Sequence, residues 1–206
     1  MWLDSVAGWL AVVDDSAQYG MIERFKYFPS EEYPGEASLI FYKNGAVMEL
    51  DDAGMPGLRS NHPEQAPYYV EAEINSPMMR LDPDSSYALD TSWFPVRSDS
   101  GLISGAPAGV IARGLVASLQ PDGVHISASW GVFFPGNRQA HAFEQHGVER
   151  SVVELASIDR LEAVEPNRTI TVSSEATRIV IHWHDERGTD LGSLGEAKIA
   201  QPEKDS

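Results

Sequence analysis

Apolar and polar residues alternate with period two along most of this chain, and the 3.6-residue recurrence of an amphipathic helix is nearly absent. The clearest stretch is Arg178-Ile179-Val180-Ile181-His182-Trp183-His184. Ile179, Ile181 and Trp183 fall on one face there, and Arg178, His182 and His184 on the other. One apolar and one wet face is the pattern of a sheet covered on a single side. Similar runs predict strands over 8–13, 19–28, 37–43, 46–50, 67–75 and 86–95. In the second half they predict strands over 108–117, 123–134, 138–144, 149–155, 168–174 and 177–184, with a short run near 196–200. Segment 149–162 also has room for a helical turn.

Turn chemistry separates these runs. Asn44-Gly45 lies between two apolar segments and reads as a hairpin, because both residues tolerate positive φ. Asp185-Glu186-Arg187-Gly188 leads into Leu191-Gly192-Ser193-Leu194 as a closing hairpin. Arg97-Ser98-Asp99-Ser100-Gly101, continued to Pro107, is the best linker. The expected class is therefore all-β, with a first unit over 1–100 and a second over 105–200. The second has the strand spacing of an immunoglobulin- or fibronectin-like sandwich.

Composition narrows the partners. The 206 residues hold 31 acids against 15 bases, a formal charge of −16. Residues 1–100 carry 17 acids and 6 bases, and 101–206 carry 14 and 9. Neither half offers a basic surface, so phosphate-backbone binding is disfavoured in both and no nucleic-acid partner is expected. No apolar run reaches the ~20 residues of a membrane-spanning helix. The start, Met1-Trp2-Leu3-Asp4, has no basic residue ahead of its apolar stretch and does not read as a signal peptide. The chain has no cysteine, which removes disulfides, thiolate metal sites and cysteine nucleophiles, and leaves the compartment open.

Residues 67–95 carry a more specific signal. They contain Tyr68-Tyr69-Val70-Glu71-Ala72-Glu73-Ile74-Asn75-Ser76-Pro77, then Met79-Arg80-Leu81-Asp82-Pro83-Asp84-Ser85-Ser86-Tyr87, and end at Trp93. This resembles the closing strands of the galactose-mutarotase-like supersandwich of the aldose-1-epimerase superfamily, and in particular a branch whose strand reads Tyr-x-Glu-x-Glu. Gly8-Trp9-Leu10-Ala11-Val12-Val13, Met21-Ile22-Glu23-Arg24-Phe25 and Tyr33-Pro34-Gly35 resemble further segments of that branch. The likeness spans roughly residues 5–95. Asp84 stands where the family's turn has Gly, and Ala72-Glu73 replaces its Thr-Gln. The family's upstream part, including its catalytic histidine, has no counterpart. The resemblance thus implies the C-terminal portion of a partial supersandwich, with carbohydrate as the ligand. Catalysis would then require an upstream segment or a partner to complete the site.

By position in the motif, Glu71 matches the epimerase catalytic base. On an extended strand Glu71 and Glu73 share a face with Tyr69 and Asn75, while Tyr68, Val70, Ala72 and Ile74 face a core. Carboxylates about 7 Å apart along a strand can form an acid–base pair or hold sugar hydroxyls. The ordinary alternative is a solvated acidic face. Tyr69 and Tyr33 are the aromatic candidates expected to be exposed for sugar stacking, and Arg24 is placed with them on the Glu71 surface. Trp130 and Trp183 are expected in the core.

His182 and His184 have the spacing that presents two imidazoles on one strand face. A metal would need a third ligand from His141, His146 or Asp185, so no metal or other cofactor is expected. There is no Gly-x-Ser-x-Gly elbow and no phosphate-binding glycine loop. A rival reading is a structural or interaction module without a small-molecule site, whose exposed sheet edges would favour a homo-oligomer.

Overall fold

The computed structural model describes residues 1–44, 46–50, 56–60, 69–98, 101–159 and 161–201, the side chains of 43–44, 46–50, 56–60 and 69 excepted. The strands in chain order are β1 (Trp2–Leu3), β2 (Trp9–Asp14), β3 (Tyr19–Phe25), β4 (Leu39–Asn44), β5 (Ala46–Leu50), β6 (Pro56–Ser60), β7 (Tyr69–Ile74) and β8 (Thr91–Arg97). They continue with β9 (Ser104–Ala106), β10 (Gly109–Gln120), β11 (Gly123–Val132), β12 (Gly136–Phe143), β13 (Glu149–Ile158), β14 (Asn167–Ile170), β15 (Arg178–Asp185) and β16 (Asp190–Ala200). A single 3-10 turn occupies Pro34–Glu36, and no α-helix occurs among the described residues. The protein is all-β, as the alternation predicts.

Two compact units divide the chain: residues 1–10 with 23–92, and 11–22 with 93–206. The boundaries fall inside β2, β3 and β8, three strands hydrogen-bonded in the order β2-β3-β8. They lie neither in the linker expected near 97–107 nor in a simple succession of halves. Part of that linker is itself strand, since β9 pairs antiparallel with β10.

In the first unit β4 is the centre of a three-stranded sheet, β1-β4-β7. Its register sets Leu39 opposite Ile74, Ile40 opposite Glu73, Phe41 opposite Ala72 and Tyr42 opposite Glu71. Directly opposed residues share a face, so Leu39, Phe41, Ala72 and Ile74 form one side. That side packs with Leu10, Phe25 and Tyr27 into a small core. Val70, expected to face inward with them, is exposed near the start of β7. The hairpin expected at Asn44-Gly45 is not formed by pairing its flanks: β5 pairs with β6, whereas β4 lies between β1 and β7. Gly45 itself lies outside the described residues.

The second unit is dominated by an eight-stranded sheet in the order β13-β12-β15-β16-β10-β11-β14, with β9 added on β10. Seven of its strands send side chains into one apolar cluster, including Val124, Ile126 and Trp130 of β11, Ala140 and Ala142 of β12, and Ile179, Ile181 and Trp183 of β15. A sheet can bury so many strands on one cluster only by curling around it, and this one forms a nearly closed, barrel-like layer. Trp130 and Trp183 are core residues, as expected, and the Trp183 indole donates to the Phe134 carbonyl. The closing hairpin is also present, with Asp185 Oδ1 accepting from the Arg187 and Thr189 amides in the β15–β16 turn. Segment 149–158 is strand rather than helical turn.

One inward position breaks the apolar pattern. Arg138 follows the parity of Ala140 and Ala142 and is buried. Burial foremost, with Arg168 nearby, pulls its pKa down to about 10.

Ile181 is fully buried, whereas Val116 is largely exposed. Ile181→Ala should destabilise the protein by about 2–5 kcal/mol. Val116→Ala should change stability by no more than about 0.5 kcal/mol. Urea unfolding of the two variants beside wild type checks the ordering.

Candidate functional site

The core face of the β1-β4-β7 sheet leaves the opposite face outward. Trp2 pairs with Ile40, Ile40 with Glu73 and Tyr42 with Glu71, which places Trp2, Ile40, Tyr42, Glu71 and Glu73 on that one surface. Trp2 is 58% exposed and Tyr42 46%, and both glutamates are exposed. The Trp2 ring lies against Gly35. Gly35 has φ +59, and any Cβ there would overlap the indole. A residue with a side chain would therefore push Trp2 off its seat. The surface is an aromatic and acidic platform, built by pairing rather than by a cleft.

The predicted site residues are only partly gathered here. Glu71 and Glu73 share the platform, as strand parity requires. Tyr69 begins β7, with its side chain outside the described residues. Arg24 is exposed on β3, in the β2-β3-β8 sheet, a different sheet from that of Glu71. Asn75 is taken up structurally: its side-chain amide donates to the Ala37 carbonyl. Tyr42 and Trp2 are among the aromatic residues that could stack on sugar, but the sequence favours Tyr33 and Tyr69 over them. Only the β1–β4–β7 register brings them beside Glu71.

Tyr33, expected to be exposed, is instead buried at 7%. It stacks on Tyr27 with ring centres 5.5 Å apart and planes 2° from parallel, and its hydroxyl accepts from the Phe28 amide at 2.9 Å. Pro34 and Gly35 turn the chain directly after it, which folds the ring back onto Tyr27. The pair lines a cavity of about 480 Å³ with Asp4, Glu31, Glu32 and Glu36. Tyr27 donates to Asp4 Oδ2 at 2.6 Å, and Ser38 Oγ donates to Asp4 Oδ1 at 2.8 Å. These two bonds, Tyr27's foremost, hold the Asp4 carboxyl below its ordinary range, and the same bond raises the Tyr27 phenol.

The turn after Leu81 passes through Asp84, the position where the resemblance expects Gly. Asp84 adopts φ +66, the left-handed conformation ordinarily taken by Gly, and the Ser85 amide closes the turn onto the Asp82 carbonyl at 3.1 Å. Aspartate tolerates this conformation better than most residues.

A second polar surface lies in the second unit. β12 and β15 pair with Gln139 opposite His182 and Asn137 opposite His184. The outward faces of these strands bring His141 to His182 and His184, with ring centres 4.7 and 6.4 Å away, and the last two are 6.5 Å apart. Glu149 on β13 meets His141 Nδ1 at 2.6 Å, and Asp190 on β16 meets His182 Nδ1 at 2.9 Å. Burial opposes ionisation of Asp190, but the Gly192 amide and His182 outweigh it and lower its pKa. Of the third partners considered from sequence, His141 is the one that joins the pair. His146 is exposed, in a loop with Glu144 and Gln145, and Asp185 caps the hairpin turn. The close seating of β12 on β15 depends on Gly136, whose Cβ would run into the His184 carbonyl.

Comparison with protein-family models, with curated proteins and with solved structures finds no match for this chain.

The Asp4 interaction has a signed consequence. A carboxyl with a depressed folded-state pKa stabilises the fold fully above its unfolded value of about 3.9. That contribution disappears as pH falls through the lower folded value. Asp4→Asn should therefore lower the urea midpoint most above about pH 5, and the two proteins should converge towards about pH 2. A constant offset across that range would rule out the ionised Asp4 as the cause.

Proposed function

We propose that this chain binds carbohydrate on the outer face of β1, β4 and β7, and that by itself it is a binder rather than a catalyst. The observation that carries this is the register setting Tyr42 beside Glu71 and Trp2 in line with Glu73 on one exposed surface. An aromatic ring offers an apolar contact to the C–H face of a sugar. Ionised carboxylates accept strong hydrogen bonds from its hydroxyls. A charge of −16 favours a neutral ligand over a polyanion. The resemblance of residues 67–95 to mutarotase-like closing strands points to the same ligand class and the same residue, Glu71.

Epimerase chemistry asks for more than this platform offers. A base and an acid must both lie within hydrogen-bond reach of the reacting sugar, in surroundings that tune their protonation. Glu71 and Glu73 are exposed, and a site on them would be wet. Their role on this reading is recognition.

Titration with neutral mono- and oligosaccharides, followed by calorimetry and tryptophan fluorescence, tests the proposal. Saturable binding is expected. Glu71→Gln and Tyr42→Ala should each weaken it at least about tenfold, about 1.4 kcal/mol. Absence of binding across the panel, or full affinity in Glu71→Gln, would remove the proposal.

A second reading is favoured by one observation: Trp2, Val70, Met78, Met79 and Leu81 of the first unit are all at least half exposed. Exposed apolar side chains in such number suit a protein-interaction surface. On that reading the chain self-associates. Sedimentation velocity should then show a mass that rises with concentration up to about 100 μM, in the range of weak interfaces. A monomer throughout would dismiss it.

A further inference from the structure

We propose that His141, His182 and His184, on the outer face of the second unit, form a binding site for a divalent first-row transition metal such as zinc or copper. The inference is independent of the carbohydrate reading, since its residues lie on other strands and in the other unit.

The reasoning begins with tautomers. Glu149 accepts at His141 Nδ1 and Asp190 at His182 Nδ1, at 2.6 and 2.9 Å. A neutral imidazole that donates from Nδ1 presents a lone pair at Nε2. Carboxylate on one ring nitrogen and metal on the other is the recurrent arrangement of histidine ligands, because the carboxylate fixes the ring and raises its basicity. In this protein the first half of that arrangement is built twice, side by side.

The His141 lone pair then lacks an ordinary use. His141 Nε2 is buried and has no hydrogen-bond partner, and the same holds for His184 Nδ1. Leaving a buried polar nitrogen unsatisfied costs about 1–3 kcal/mol. The His141 ring is mostly covered, with 17% of its side chain exposed. Unpartnered nitrogens on neighbouring rings suit an ion that takes up several imidazole lone pairs at once, which is what a metal ion does.

Spacing is compatible with this. With metal–nitrogen bonds of about 2 Å, two imidazoles on one ion have ring centres roughly 4.5–6.5 Å apart, depending on the angle between them. The three separations, 4.7, 6.4 and 6.5 Å, fall in that span one by one. They do not yet converge together: as the side chains stand, no group of three His, Cys, Asp or Glu among the described residues is placed to hold a metal ion. Binding therefore starts from the close His141–His182 pair and draws in His184 by rotation of its part-exposed side chain. Imidazole nitrogens select zinc, copper or nickel over calcium or magnesium, which prefer oxygen.

Calorimetric titration of the full chain with zinc chloride, copper sulfate and magnesium chloride provides the test. One zinc or copper ion per chain is expected, with no response to magnesium. His141→Ala and His182→Ala should each weaken binding at least tenfold, and Glu149→Gln and Asp190→Asn by about ten- to a hundredfold through loss of ring orientation. His125→Ala and His146→Ala should bind as wild type does. Imidazole ¹⁵N spectra of the wild-type protein supply a readout free of folding defects: zinc should shift Nε2 of His141 and His182. Unaltered imidazole signals at saturating zinc, or equal affinity in His141→Ala and His146→Ala, would overturn the proposal.

Discussion

An extended strand sends consecutive side chains to opposite faces, so the register between neighbouring strands decides which residues meet. Each polar surface described above hangs on that constraint. A slip of one residue between β4 and β7 would turn Ala72 and Ile74 outward and drive Glu71 and Glu73 into the Leu10–Phe25–Leu39 core. Burying two carboxylates without partners is so unfavourable that the register is strongly fixed. The same holds between β12 and β15, where Ile179, Ile181 and Trp183 must face the core and therefore send His182 and His184 out.

The two surfaces differ in how they would hold a ligand. The β1-β4-β7 face is open and combines rings with ionised carboxylates, which suits a neutral molecule lying flat on it. The β12–β15 face is partly covered and presents imidazoles oriented by carboxylates, which suits a small ion. Neither depends on a cleft, and neither is basic. Both therefore fit an acidic chain whose composition disfavours nucleic acid. The stacked Tyr27–Tyr33 pair makes a third polar place, but its hydroxyls are engaged with Asp4 and the Phe28 amide, which gives it a clear structural use.

Much of the fold was legible because period two is a strong local signal. Segments such as 178–185 and 123–132 show it, and Ile179, Ile181 and Trp183 are buried as the parity read from sequence predicts. Glu71 and Glu73 were legible for the same reason. What escaped were features set by pairing between distant segments. Trp2 and Leu3 make a strand of two residues, too short to show any period, and they count only because β4 accepts them. Asn44-Gly45 has local hairpin chemistry, yet β4 finds its partners in β1 and β7. Tyr33 sits in a turn-rich, polar stretch that suggests exposure, and only Tyr27 and the Phe28 amide bury it. His141 was one of three possible third ligands in sequence; Val180 opposite it and His182 diagonally across single it out.

The register of β4 on β7 is the most direct thing to measure. Nuclear Overhauser contacts across the two strands should link Tyr42 with Glu71 and Ile40 with Glu73, with Phe41 and Ala72 joined on the other face. Contacts shifted by one residue, Tyr42 with Ala72 or with Val70, would put the carboxylates on the core side and contradict the platform on which the functional reading rests.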